Sequence, residues 1–68
     1  MGMTADLKEL LEKLRDPRRV YPDFGEAAAA SKIADLLENA LFNNAPPSII
    51  DLIKAAAENV LLRSQMKN

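Results

Sequence analysis

Leucine recurs near the start of the chain with the period of a helix. Leu7, Leu10, Leu11 and Leu14 fall at i, i+3, i+4 and i+7, and Lys8, Glu9, Glu12, Lys13 and Arg15 take the other positions. The pattern predicts a first helix over about 5–15, with Thr4 as N-cap and Asp6 in the first turn, where the helix dipole favours negative charge. Asp16-Pro17 ends it, because the residue before a proline is pushed out of the α region.

A second helical pattern runs from Asp23 to Asn43. Asp23 and Glu26 have the spacing of a capping box, and Ala30, Ile33, Leu37, Ala40 and Leu41 share one face, widened by Ala34 and Leu36. Ser31, Lys32, Asp35, Glu38 and Asn39 form the polar face, and Phe42 breaks the pattern by falling among them. Asn43 or Asn44 supplies a left-handed terminator, and Pro46-Pro47 prevents continuation. The third helix, expected over 47–66, starts with Pro47 in its first turn or with Ser48 as cap. Its stripe is Ile49, Leu52, Ile53, Ala56, Ala57 and Val60, with Ala55, Leu62 and Met66 on a second, weaker line. The last residues, Met66-Lys67-Asn68, are expected to fray. No stretch alternates as a strand does, and nothing repeats.

The expected fold class is therefore all-α: a short helix followed by a long antiparallel helical hairpin, with helices at about 5–15, 24–43 and 47–66 in one domain over 3–68. Met1-Gly2 reads as an addition ahead of a native start at Met3. The connector Pro17–Pro22 is short and stiffened by its prolines, so Val20 and Tyr21 are expected to fold inward as a lid. Its shortness sets the first helix beside the first half of the second, where Ala27–Ala30 offers a smooth surface for its leucines. The far half of the hairpin is then bare on one side, with Leu36, Leu37, Leu41, Phe42, Ile49, Ile50 and Ile53 as the interface for another copy or another protein.

Size sharpens that expectation. Below about 70–80 residues a single core rarely supplies more than about 3–5 kcal/mol, and this chain has 68. With no Cys and no His, neither a disulfide nor an ordinary zinc site is open to it, so a homodimer or higher oligomer is the remaining device. A net charge of −1 excludes polyanion binding driven by bulk charge. No apolar run approaches the roughly 18 residues a membrane span requires, and the N-terminus lacks the order of a signal peptide. No membrane role and a cytoplasmic location are the expectations.

Candidate chemistry is sparse. Arg18, Arg19 and Tyr21 form the most site-like group, able to fork onto phosphates or carboxylates and to stack on a base, although Asp23 and Glu26 nearby oppose an anion. The competing reading is two solvated arginines and a tyrosine plugging the core. Phe42 suits an anchor in a partner's pocket, a contact within the oligomer, or a side chain turned inward where the helix unwinds early. Asp35, Glu38 and Lys32 sit on the polar face, where nothing tunes a carboxylate for acid–base work. Ser31, Ser48 and Ser64 have no His to activate them. No basic stripe suits a duplex groove, so nucleic acid ranks low as a partner.

The residues thus predict a protein that is not an enzyme and needs no cofactor and no metal. It is expected to bind itself and another protein, as an accessory regulator or inhibitor. The alternative is an oligomer that binds or sequesters a small anionic or nucleotide ligand through Arg18, Arg19 and Tyr21.

Overall fold

The computed structural model describes residues 3–67. Three helices carry the chain: α1 (Met3–Leu14), α2 (Phe24–Phe42) and α3 (Pro47–Arg63). Two short strands, β1 (Arg19–Val20) and β2 (Gln65–Met66), pair antiparallel between the connector and the C-terminal segment. The architecture is all-α apart from that ladder.

Each helix end has a local cause. The backbone is already helical at Thr4, which lies within α1 and does not cap it. At the start of α2 the Asp23 carboxylate accepts from the Glu26 N–H at 2.8 Å, half of a capping box. The Glu26 side chain does not complete the box; it takes Arg63 Nε at 2.9 Å and so ties the start of α2 to the end of α3. A Cβ at Gly25 would stand 3.2 Å from the capping Asp23 oxygen, so glycine leaves the cap room. At the far end Asn44 takes the left-handed conformation with φ 54°. Ala45 N–H then reaches Ala40 O at 2.9 Å and Asn44 N–H reaches Leu41 O at 3.5 Å, the paired bonds of a Schellman terminator. α3 starts on Pro47 with no side-chain cap, so Ser48 is not its N-cap.

The core is small and rich in alanine. Leu7, Leu14, Ala30, Ala34, Leu37, Ala40, Ala57 and Val60 are its buried members, with Leu10, Leu11, Tyr21, Ile33, Leu41, Ile50, Ile53 and Leu61 packed around them. Alanines at the contact let helix axes approach closely, which sets them in van der Waals reach without filling volume.

Several expectations change. α1 reaches the α2–α3 turn, where its Leu7 lines a depression with Ala40, Leu41, Ala45 and Ile50. Leu37, expected on a bare side, is consequently 0% exposed inside the chain, and Leu41, Ile50 and Ile53 pack against the same core. Of Ala27–Ala30 only Ala30 is buried; Ala28 and Ala29 face outward. Val20 is half exposed, and Tyr21 alone turns inward. α3 stops at Arg63 and not near 66, because Ser64 adopts an extended backbone that starts β2. Met66 and Lys67 are held there and do not fray, with Lys67 N–H donating to Arg18 O at 2.7 Å; Asn68 lies outside the described residues, as do Met1 and Gly2.

The Asn44 terminator gives a first prediction. Asn44→Val, forced into a conformation that β-branched residues resist, is expected to lower stability by about 1–2 kcal/mol, whereas Asn44→Gly raises the urea midpoint. Equal midpoints for the two variants would remove the terminator from the account.

Candidate functional site

Arg18, Arg19 and Tyr21 lie in the connector that follows the end of α1. Asp16-Pro17 leaves the last carbonyls of α1 without helical donors. Arg19 Nε donates to Lys13 O at 3.0 Å, and Tyr21 Oη donates to Leu14 O at 3.3 Å. The other side of the Arg19 guanidinium, Nη1, donates at 2.6 Å to Ser64 Oγ, which in turn donates at 2.7 Å to Leu61 O. The pairing of Arg19 with Met66 and Val20 with Gln65 closes the same joint through the backbone. One half-buried arginine thus connects the ends of α1 and α3, and burial pushes the Tyr21 hydroxyl above its ordinary pKa, keeping it a donor.

Arg18 turns elsewhere. Its Nε and Nη2 donate to the two oxygens of Asp16 at 3.2 and 3.0 Å, and its backbone N–H donates to the same carboxylate at 2.9 Å. Those bonds hold the Asp16 carboxyl below the usual aspartate range. Arg18 borders an open depression of about 590 Å³ with Leu11, Glu12, Arg15, Asp16 and Pro17, whereas Arg19 borders one with Leu10, Lys13, Glu58, Leu61 and Leu62. Tyr21 lines a third hollow, with Val20, Pro22, Arg63 and Gln65. The three candidate anion-binding residues do not converge on one volume, and each spends hydrogen bonds within the chain.

The carboxylates of α2 have a mechanical role. Arg15 Nη2 meets Asp35 and Glu38, each at 3.0 Å, bridging α1 to α2 across the outside of the contact. The bond to Arg15 holds Glu38 below the usual carboxylate range. All three side chains are well exposed, so the bridge orients more than it stabilises. Lys32 does not join them, and Ser31 and Ser48 are exposed. Among the described residues no cluster of His, Cys, Asp or Glu is arranged to hold a metal ion.

The remaining site-like feature is apolar. Phe42 is 86% and Phe24 89% exposed, at opposite ends of α2; the helix runs regularly to Phe42, so this ring does not turn inward. Leu36 and Ile49 are each nearly half exposed, and Leu52 and Leu62 more so. Of the seven residues expected at an interface, Leu36, Phe42 and Ile49 are therefore outside, while Leu37, Leu41, Ile50 and Ile53 belong to the core or its margin. Sequence reasoning missed the Arg19–Ser64 joint and the Arg15 bridge. The signal for the first was Ser64, a polar residue closing an apolar stripe at the same end as a two-arginine connector. Among the described residues no helix is long and apolar enough to cross a membrane. Comparison with family models, curated proteins and solved structures finds no match.

Two measurements test this joint. Arg19→Ala removes the donors to Lys13 O and Ser64 Oγ and is expected to cost about 1–3 kcal/mol in urea unfolding, more than Arg18→Ala, whose loss is an exposed ion pair. A larger loss for Arg18→Ala would overturn that order. For pH, the folded pKa values of Asp16 and Glu38 lie below their unfolded ones, so both groups bind fewer protons in the folded state. Their stabilisation is complete above the ordinary carboxylate range and is lost as pH falls through the folded values. The thermal midpoint should therefore hold between about pH 5 and 8 and drop below about pH 4, and the drop should be shallower in Asp16→Asn.

Proposed function

We propose that the chain is a non-enzymatic helical protein that works as a homo-oligomer by binding another macromolecule, as an accessory regulator or inhibitor. In this reading α1 lies across a long antiparallel hairpin of α2 and α3, and the hairpin presents the working surface. The observation that carries it is the exposure of Phe24, Phe42, Leu36, Ile49 and Leu52 on a chain of this size. Large apolar side chains held in water on ordered helices favour association, and aromatic rings are enriched among the residues that anchor it. The absence of convergence among Arg18, Arg19 and Tyr21 gives the small-anion alternative less support.

Light scattering across concentration, with affinity capture from a lysate, tests the proposal. The expected result is a particle heavier than the 7.5 kDa chain at high micromolar concentration, together with a captured protein that is lost in Phe42→Ala. A monomer that captures nothing overturns it. A melting midpoint raised by a nucleotide or another anion, and insensitive to that ligand in the Arg18→Ala, Arg19→Ala double variant, would establish the ligand-binding alternative instead.

A further inference from the structure

The helical pattern of α3 runs further along the chain than α3 itself. Met66 stands one turn beyond Leu62, at i+4, and Gln65, Met66 and Lys67 are good helix formers with no Gly or Pro among them. The helix nevertheless stops at Arg63. Its end differs in kind from that of α2, where Asn44 closes the last turn in the left-handed conformation. After Arg63 the backbone simply becomes extended, with φ −91° and ψ 166° at Ser64. No local terminator accounts for that stop.

The cause is tertiary. Ser64 Oγ accepts from Arg19 Nη1 at 2.6 Å and donates at 2.7 Å to Leu61 O, a carbonyl that also takes the Ser64 N–H at 3.1 Å. In a continued helix that carbonyl would accept from Gln65 N–H, four residues on, so the serine occupies the place of the next helical bond. Beyond it Gln65 and Met66 pair with Val20 and Arg19, and Lys67 N–H reaches Arg18 O at 2.7 Å. Side chains add little to this hold. Gln65 and Lys67 are exposed, and Met66 and Val20 are 42% and 49% exposed. Residues 64–67 are therefore kept extended by hydrogen bonds, each of small net worth, and a helix would return bonds of the same kind to the same N–H groups. Little apolar area is at stake between the two arrangements.

We infer that residues 64–67 form a two-state latch on the connector. In the closed state, the one described above, the segment lies on β1 and Ser64 engages Arg19. In the open state α3 continues through Met66, with Gln65 N–H on Leu61 O, Met66 N–H on Leu62 O, and the Met66 side chain beside Leu62. Opening frees Arg19 Nη1 and uncovers the backbone edge at Arg19 and Val20. Arg19 Nε and Tyr21 Oη keep their bonds to Lys13 O and Leu14 O, so the end of α1 stays satisfied. Donors spent within the chain in the closed form become available in the open one, and a ligand that takes them shifts the population toward it. The latch does not depend on self-association.

Cα chemical shifts with NMR relaxation dispersion test it. In wild type the expected result is extended shifts at Gln65 and Met66, with microsecond-to-millisecond exchange toward helical shifts from a minor state of roughly 0.1–10%. Arg19 and Val20 exchange at the same rate, because one ladder opens. Ser64→Ala removes the acceptor of Arg19 and brings in the best helix former, so the helical population is expected to rise on the order of tenfold. Met66→Gly separates a helical open state from fraying. Glycine weakens helix and strand alike, so it suppresses exchange to a helix but increases exchange to a frayed end. The latch is refuted by random-coil shifts in the minor state, by a segment that stays extended without exchange in Ser64→Ala, or by exchange that grows in Met66→Gly.

Discussion

The Arg19 guanidinium holds the molecule's most economical contact. It donates both to the Lys13 carbonyl at the end of α1 and to the Ser64 hydroxyl just past the end of α3. Helix ends carry orphan carbonyls that take donors from side chains, water or a tightened last turn. One planar group with several N–H donors in fixed directions answers two ends at once, which a lysine ammonium would do without the same geometry. The extended backbone at Ser64, the ladder of β1 on β2, and the Lys67 bond to Arg18 all follow from bringing the C-terminal segment to that connector.

Tying the ends together fixes how α1 lies. With Leu14 and Tyr21 anchored at one end, and Leu7 seated near Ala40, Leu41 and Ile50 at the other, α1 lies against both α2 and α3. It closes one side of the pair and leaves the opposite flank with its leucines in water. Arg15 then reaches Asp35 and Glu38 as a consequence of that course, which is why two carboxylates resembling a reaction site are bridge ends.

Local chemistry was legible in the residues. The leucine period gave α1 and Asp23 the cap of α2; of the two terminators and two starts the sequence left open, the structure takes Asn44 and Pro47. What failed was the inference from length to placement. Counting residues set a short helix beside half of the hairpin, but an N-terminus helical from Met3 and an oblique course carry Leu7 to the turn. Leu37 therefore changed from a surface residue to the most buried large side chain. The ladder was not legible, because two residues cannot show alternation; it forms from tertiary proximity, with no strand propensity to announce it. For the candidate site, the sequence placed Arg18, Arg19 and Tyr21 together, but Arg18 sits in a turn bonded to Asp16, while Arg19 and Tyr21 turn to the end of α1, so each is spent on a different partner within the chain.

Alanine in the core and leucine outside are two parts of one arrangement. A contact built on Ala30, Ala34, Ala40 and Ala57 brings the helices close together, and close helices leave little interior volume. The larger side chains Leu36, Ile49 and Leu52 fall by the helical period on the flank of that contact and stay exposed. Singly, such side chains are ordinary on a protein surface; they carry meaning where several stand on adjoining helices. The proposed association rests on that exposure.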